Sequence, residues 1–193
     1  MTAIRCCAVL ALVLSVVRPA GAEDEGLDVT VMSPRGMPIQ VVEFTIDEVT
    51  QTVRLDPAQG RGSTHFSGPV FGPAQVTFRV AVGDPRLVGK RWSTGIPLNG
   101  SGHLEYQILE NGRGESKQWP LVRWLSTGDS LDVTLNGATL GSTERRKGVS
   151  PNQQHQSAWL RDGRPVCRNE FTLDYNVVRT YRCDPATGKV SQR

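Results

Sequence analysis

The sequence predicts an all-β protein, an antiparallel β-sandwich with a disulfide-stapled β-hairpin at its C-terminal end. Short segments in which apolar and polar residues alternate recur along the chain. Twenty glycines and twelve prolines separate these segments, and no amphipathic window is long enough to predict a helix. Two cysteines, Cys167 and Cys183, bracket a strand-forming segment near the end of the chain.

The predicted strands follow one another closely between residues 27 and 137. "LDVTVMS" alternates from Leu27, and the segment from Ile39 to Leu55 is long enough for two strands or for one strand with a bulge. "QVTFRVAV" forms the next clear strand, "HLEYQILE" and "KQWPLVRWL" flank the turn "NGRGES", and "LDVTLNG" closes the series. Seven or eight strands, with turn signals every 8 to 12 residues, are typical of a β-sandwich, although a small barrel would give the same pattern.

In this strand rhythm, residues 27–110 resemble the immunoglobulin or transthyretin type of sandwich that many exported proteins contain. The resemblance lies in periodicity and involves no specific motif. It therefore implies a fold and carries no functional residue to this chain.

The N-terminal segment, residues 1–22, has the three parts of a secretory signal peptide. Arg5 supplies positive charge, an apolar run of twelve residues follows from Cys6 to Val17, and Ala20 and Ala22 form an A-x-A cleavage site. The run is too short to span a bilayer, which needs about 20 residues. We expect cleavage after Ala22, a periplasmic or secreted mature protein, and no integral membrane segment after cleavage.

Charge is distributed unevenly along the predicted mature chain. Residues 23–143 carry ten Lys/Arg and fourteen Asp/Glu, a net charge of −4, whereas residues 144–193 carry ten and five, a net charge of +5. A cationic C-terminal segment can bind an acidic partner or pack on the anionic remainder of the protein.

The predicted domain organisation follows from composition. Residues 23–137 form the β-sandwich, and residues 138–157 form a polar linker, because "ATLGSTERRKGVSPNQQHQS" has few apolar residues. Residues 158–193 form the C-terminal hairpin segment that carries both cysteines.

The cysteine pair is predicted to be a disulfide. If Cys167 faces Cys183 across a hairpin with the turn "DYN", the polar and apolar side chains separate onto opposite faces, and Asn176 can take the left-handed conformation of the turn. Two cysteines and three scattered histidines do not give a zinc ligand set, and a redox pair would usually be C-x-x-C. Neither a metal nor another cofactor is predicted.

The familiar catalytic motifs are missing from the sequence. It contains no G-x-S-x-G elbow, no calcium loop and no glycine-rich phosphate loop. Ser101 lies two residues before His103, but in a turn where serine and glycine are expected anyway. We therefore predict a protein that is not an enzyme.

The tryptophans and a cationic run are the candidate binding residues. Trp119 and Trp124 lie five apart and face opposite sides of a regular strand, so that one can lie in the core and the other at the surface. Trp92 is the best candidate for an exposed loop tryptophan. The predicted partner-binding residues are Lys90, Arg91, Trp92, Arg145, Arg146 and Lys147.

Three functions are compatible with these observations. The first is a non-catalytic exported protein that binds another protein, either as an inhibitor or immunity protein or as an envelope accessory factor, and no role in nucleic-acid binding is expected. The second is a carbohydrate-binding module, which predicts exposed aromatic rings on one face. The third is a hydrolase, which predicts a histidine next to a carboxylate or a serine.

Overall fold

The structure, a computed structural model, describes residues 26–37, 39, 41–67, 70, 72–80 and 85–193. The predicted signal peptide lies outside these residues. The described residues form sixteen β-strands and no helix, so they include no helix that could cross a membrane. The prediction of an all-β, sandwich-like fold with a disulfide between Cys167 and Cys183 is confirmed.

The first eight strands form two four-stranded sheets that enclose one hydrophobic core, which we call the N-terminal sandwich. Sheet 1 has the strand order β4-β1-β7-β8 and sheet 2 the order β3-β2-β5-β6. Phe44 on sheet 2 meets Tyr106 on sheet 1 edge to face, with ring centroids 5.8 Å apart. The strands are β1 Leu27–Met32, β2 Val41–Ile46, β3 Val49–Arg54, β4 Arg61–Phe66, β5 Ala74–Arg79, β6 Arg91–Ile96, β7 His103–Ile108 and β8 Gly114–Gln118.

The last eight strands form the C-terminal sandwich, which has its own core. Sheet 3 has the order β12-β9-β15-β16 and sheet 4 the order β11-β10-β13-β14. The buried indole of Trp159 on sheet 4 donates a 2.9 Å hydrogen bond to the carbonyl of Leu125 on sheet 3. The strands are β9 Leu121–Ser126, β10 Asp132–Leu135, β11 Ala138–Ser142, β12 Arg146–Gly148, β13 His155–Arg161, β14 Arg164–Phe171, β15 Val178–Asp184 and β16 Lys189–Gln192.

The two sandwiches repeat one topology. Adding eight to every strand number of sheet 1 gives the order of sheet 3, and the same operation converts sheet 2 into sheet 4. Each sandwich contains one parallel pair, β1 with β7 and β9 with β15, among otherwise antiparallel pairs. Only Trp119 and Pro120 separate β8 from β9, so the sandwiches follow one another almost without a linker.

The chain divides at other positions than those predicted. The segment 138–157, predicted as a linker, contains β11 and β12, which pair with β10 and β9. Both are edge strands, so they need few apolar side chains and lack the alternation that marks a half-buried strand. The predicted sandwich, residues 23–137, therefore ends inside the second sandwich of the structure.

The disulfide also differs from the predicted hairpin in its strand pairing. β14, which carries Cys167, pairs with β13 in sheet 4, whereas β15, which carries Cys183, pairs with β9 and β16 in sheet 3. The bond thus joins the two sheets of the C-terminal sandwich, across a Cα–Cα distance of 6.0 Å. Asn176, between these strands, has the expected left-handed conformation, with φ 62°.

Candidate functional site

The outer face of sheet 1 carries a row of ionisable side chains. Val29 and Leu104 point into the core, so the alternation of the strands turns Asp28 of β1 and His103 of β7 outward. Asp28 is paired with His65 of β4 on one side and with His103 on the other. Sheet 1 therefore places a carboxylate between two imidazoles.

Both imidazoles contact the Asp28 carboxylate. Nδ1 of His65 lies 2.8 Å from Oδ1, and Nδ1 of His103 lies 3.6 Å from Oδ2. The side chain of Asp28 is 58% exposed, that of His65 44% and that of His103 34%. The row is thus accessible from solvent; Asp28 hydrogen-bonds the His65 ring, and its second oxygen lies near the His103 ring without a hydrogen bond.

Trp119 extends this row beyond the end of β8. Its indole stacks on the His103 imidazole, with ring centroids 3.8 Å apart and an interplanar angle of 21°. Burial lowers the pKa of His103, and the nearby carboxylates of Asp28 and Glu105 oppose this shift only in part. His103 is therefore mainly neutral at pH 7 and provides a polar ring beside the indole.

Glu105 connects Trp119 to the C-terminal sandwich. Its Oε1 accepts a 3.3 Å hydrogen bond from Nε1 of Trp119 and a 3.2 Å hydrogen bond from the hydroxyl of Tyr175. Burial and the Glu105 carboxylate raise the pKa of Tyr175, so its hydroxyl stays protonated and donates. The ammonium group of Lys117 lies 5.7 Å from the centroid of the Tyr175 ring, a cation–π distance. Two aromatic rings, one from each side of the junction, are thus held by one carboxylate oxygen.

The backbone next to Tyr175 is anchored to the N-terminal sandwich. The Asn176 amide donates to the Gln118 carbonyl, and the Gln118 amide donates to Oδ1 of Asn176, both at 2.8 Å. The side chain of Gln118 is also buried. Its Oε1 accepts a 2.6 Å hydrogen bond from the backbone N–H of Asn99, and its Nε2 donates a 2.7 Å hydrogen bond to the backbone carbonyl of Pro97. This network fixes the turn that presents Tyr175.

We call this surface the Trp119 patch. It contains Asp28, His65, His103, Glu105, Lys117, Trp119 and Tyr175.

The patch places His65 and His103 next to the Asp28 carboxylate, which is the arrangement that the hydrolase alternative predicts, but Ser101 does not join them through its side chain. Ser101 Oγ hydrogen-bonds the backbone amide and carbonyl of His103, at 3.4 and 3.2 Å, and not its imidazole. Within the described part of the chain, no group of three or more His, Cys, Asp or Glu side chains could hold a metal ion. The arrangement can stack on a ring through its aromatic side chains and hydrogen-bond to polar groups at the edges of that ring.

The predicted partner-binding residues lie elsewhere, in two separate places. Trp92 belongs to β6 of sheet 2, not to a loop, and is half-buried, stacked on Phe78 at a centroid distance of 6.5 Å. Arg91 begins the same strand, and Lys90 precedes it. The other predicted cations belong to sheet 3 and the turn before β12. They are Arg145, Arg146 and Lys147.

The spacing of Trp119 and Trp124 was the one feature of the sequence that pointed to a residue of the patch. Trp124 is fully buried in the C-terminal core, whereas Trp119 lies between β8 and β9, half-buried at the surface; the spacing predicted this division without saying which of the two would be exposed. The partners of Trp119 carried no signal, because Glu105 and Tyr175 lie 70 residues apart and meet only where the two sandwiches join.

Comparisons with known proteins locate distant structural neighbours. Neither a protein-family profile nor a curated protein sequence matches the chain. A family 26 carbohydrate-binding module from Eubacterium rectale Amy13K, solved with maltoheptaose, is 10% identical over 87% of this chain and 96% of that chain, with a TM-score of 0.32. Family 41 modules from streptococcal virulence factors, described for α-glucan recognition, are 13% identical over 85% and 96%, with a TM-score of 0.27. The Bacillus anthracis TIE protein is 10% identical over 82% and 34%, with a TM-score of 0.30.

The prediction that the main function is binding another protein is wrong by these comparisons. Carbohydrate-binding modules recur among the neighbours, and those modules bind glucans. At such low similarity no site residue is transferred from the neighbours to this chain.

Proposed function

We propose that this protein binds a carbohydrate chain through the Trp119 patch, without catalysing a reaction on it. The observation that carries the proposal is the Glu105 carboxylate, which holds the rings of Trp119 and Tyr175 at one surface through a single oxygen. Sugar rings offer one apolar C–H face and a rim of hydroxyl groups. A site for them needs aromatic rings together with hydrogen-bonding groups that converge beside the rings.

The polar groups of the patch match the rim of a sugar ring. Oε2 of Glu105 and the exposed carboxylate of Asp28 can accept hydrogen bonds from hydroxyl groups, and the ammonium group of Lys117 can donate to a ring or hydroxyl oxygen. His65 supplies a further imidazole edge, 2.8 Å from Asp28. A pyranose stacked on the aromatic rings would thus meet donors and acceptors of both kinds.

The patch is organised before any ligand binds. Glu105 fixes the edges of the Trp119 and Tyr175 rings, Asp28 hydrogen-bonds the His65 ring, and the bonds between Asn176 and Gln118 fix the turn beneath Tyr175. Side chains that are already ordered lose less conformational entropy on binding, which raises affinity without new contacts.

The proposed location is the periplasm or the extracellular space. Two observations support it: the signal-peptide pattern of residues 1–22, and the disulfide between Cys167 and Cys183, a bond that persists in oxidising compartments.

The test is affinity electrophoresis of the mature protein, residues 23–193, in gels that contain soluble α-linked or β-linked glucans. We expect retardation by at least one glucan, and a loss of affinity of tenfold or more in Trp119→Ala, because a central aromatic anchor is typically worth about 2 kcal/mol. Glu105→Gln should weaken binding several-fold, since the neutral amide holds the Trp119 and Tyr175 hydrogen bonds less strongly.

The matched control is Glu43→Gln, which removes the same charge from an exposed site on sheet 2 and should bind like the wild type. Circular dichroism verifies that each variant is folded. Retardation equal to the wild type in a folded Trp119→Ala variant would refute the proposed site. Release of reducing ends from the bound glucan would show instead a hydrolase in which Asp28 and His103 take part.

A further inference from the structure

The outer face of sheet 3, which has no part in the Trp119 patch, carries three arginines from three adjacent strands. Trp124 and Tyr181 point into the C-terminal core, so the alternation turns Arg123 of β9 and Arg182 of β15 outward. Arg146 of β12 is paired with Arg123. We call Arg123, Arg146 and Arg182 the arginine face.

The placement of Arg146 and Arg123 is unfavourable for the isolated protein. They are directly paired across two antiparallel strands, and like charges in this position repel each other. The Nε–H of Arg123 is also buried without a hydrogen-bond partner. Across the described residues, no carboxylate forms an ion pair with any of the three guanidinium groups. An anion placed on this face would relieve the repulsion.

The acidic residues near this face do not neutralise it. Asp184, at the end of β15, accepts hydrogen bonds from the Ala186 amide and the Thr187 hydroxyl, at 3.0 and 2.8 Å. The Thr187 hydroxyl and the Ala186 amide lower the pKa of Asp184, and its charge is directed to that turn. Glu144 precedes β12 in the turn that also holds Arg145. Residues 144–193 carry a formal net charge of +5, and two of the three arginines of this face, Arg146 and Arg182, belong to this segment.

We propose that the arginine face binds an acidic polysaccharide, one that carries carboxylate or sulfate groups. The planar guanidinium group forms paired hydrogen bonds with either anion. Neighbouring strands lie about 4.8 Å apart, so arginines on three of them present a row of cations to a linear polyanion. This proposal does not depend on carbohydrate binding at the Trp119 patch, which lies on another sheet.

A membrane surface fits this face less well. Basic faces that bind membranes usually also carry large aromatic or leucine side chains that enter the lipid. On sheet 3, the exposed large hydrophobic side chain among the described residues is Val178, at 58% exposure. An acidic lipid surface is therefore an alternative for the experiment to exclude.

The test compares polygalacturonate with its fully methyl-esterified, uncharged form, and adds heparin as a sulfated probe, in biolayer interferometry at low and at physiological salt. We expect the wild-type protein to bind polygalacturonate or heparin, not to bind the ester, and to lose affinity as salt rises. The double variant Arg146→Gln/Arg182→Gln should bind at least tenfold more weakly.

The matched control is Arg113→Gln/Arg164→Gln, which removes two exposed arginines from the β7–β8 turn and from β14 and should bind within twofold of the wild type. Trp119→Ala should also leave this binding unchanged, which separates it from glucan binding. The unfolding temperature of Arg146→Gln/Arg182→Gln should be no lower than that of the wild type, because the repulsion between Arg146 and Arg123 is removed. Equal binding by that variant, or tighter binding to anionic vesicles or to duplex DNA than to both acidic polysaccharides, would overturn the proposal.

Discussion

Replacing both cysteines by alanine, Cys167→Ala/Cys183→Ala, should destabilise the C-terminal sandwich by about 3 kcal/mol. The disulfide closes a loop with a sequence separation of 16, and the entropy lost by the unfolded chain on closing a loop of this length corresponds to about that free energy at 25 °C. Alanine suits the test, since both cysteines are buried and a small apolar side chain leaves no polar group without a partner.

The assay is equilibrium denaturation with guanidinium chloride, followed by far-UV circular dichroism and by tryptophan fluorescence. Because the bond joins sheet 3 to sheet 4, amide hydrogen exchange should increase first in β14 and β15. The closed loop also contains Tyr175, so the variant should bind the glucan ligand more weakly. A loss below about 1 kcal/mol, with exchange unchanged in β14 and β15, would refute the assignment of the bond as an inter-sheet staple.

Three further perturbations test the local packing. Burial should give the His103 imidazole a titration midpoint below 6.5 by NMR. The unfolded state then binds more protons than the folded state, so the free energy of unfolding should fall as pH decreases below about 6.5. A midpoint above 6.5 would contradict the burial of this ring. Gly148→Ala should place a Cβ against the backbone carbonyl oxygen of Ser101, at a contact between the two sandwiches. The unfolding temperature measured by calorimetry should therefore fall by the equivalent of about 1–3 kcal/mol. An unchanged temperature would show that this contact is loose. Trp124→Ala should cost about 3–5 kcal/mol in denaturant unfolding, because the side chain is fully buried, and a cost below about 1 kcal/mol would contradict that burial.

The fold class could be predicted because alternation and cysteine chemistry are local properties. Leu27, Val29 and Val31 alternate with polar residues, and the structure buries all three. The pairing of Cys167 with Cys183 followed from their number and their expected compartment. Sequence could not decide between a hairpin and an inter-sheet bond, because both bring two Cα atoms within the distance that a disulfide spans.

The second sandwich was not predicted because its edge strands lack a hydrophobic pattern. β11 and β12 contain no fully buried residue, and a strand of this kind resembles a polar loop in sequence. The repeat of the eight-strand topology is equally hidden, since it is a repeat of strand order without a visible repeat of residues.

The Trp119 patch could be predicted only in part. The spacing of Trp119 and Trp124 predicted that one of the two could lie at the surface, but not which one. The hydrogen bond between Tyr175 and Glu105 depends instead on how two sandwiches pack, and no local pattern encodes a contact across 70 residues. Trp92 was the opposite case, because two neighbouring cations suggested an exposed loop where the structure has a half-buried strand residue.

The most direct test of carbohydrate binding at the Trp119 patch is an NMR titration of the indole N–H signals with the glucan that retards the protein most. The Trp119 signal is assigned as the one lost in Trp119→Phe. We expect the Trp119 signal to shift until the protein is saturated with glucan, because Nε1 of Trp119 lies at the patch. The signals of Trp124 and Trp159 should not shift, because both indoles are buried. No shift of the Trp119 signal at saturating glucan, or a shift confined to Trp92, would contradict the proposed site.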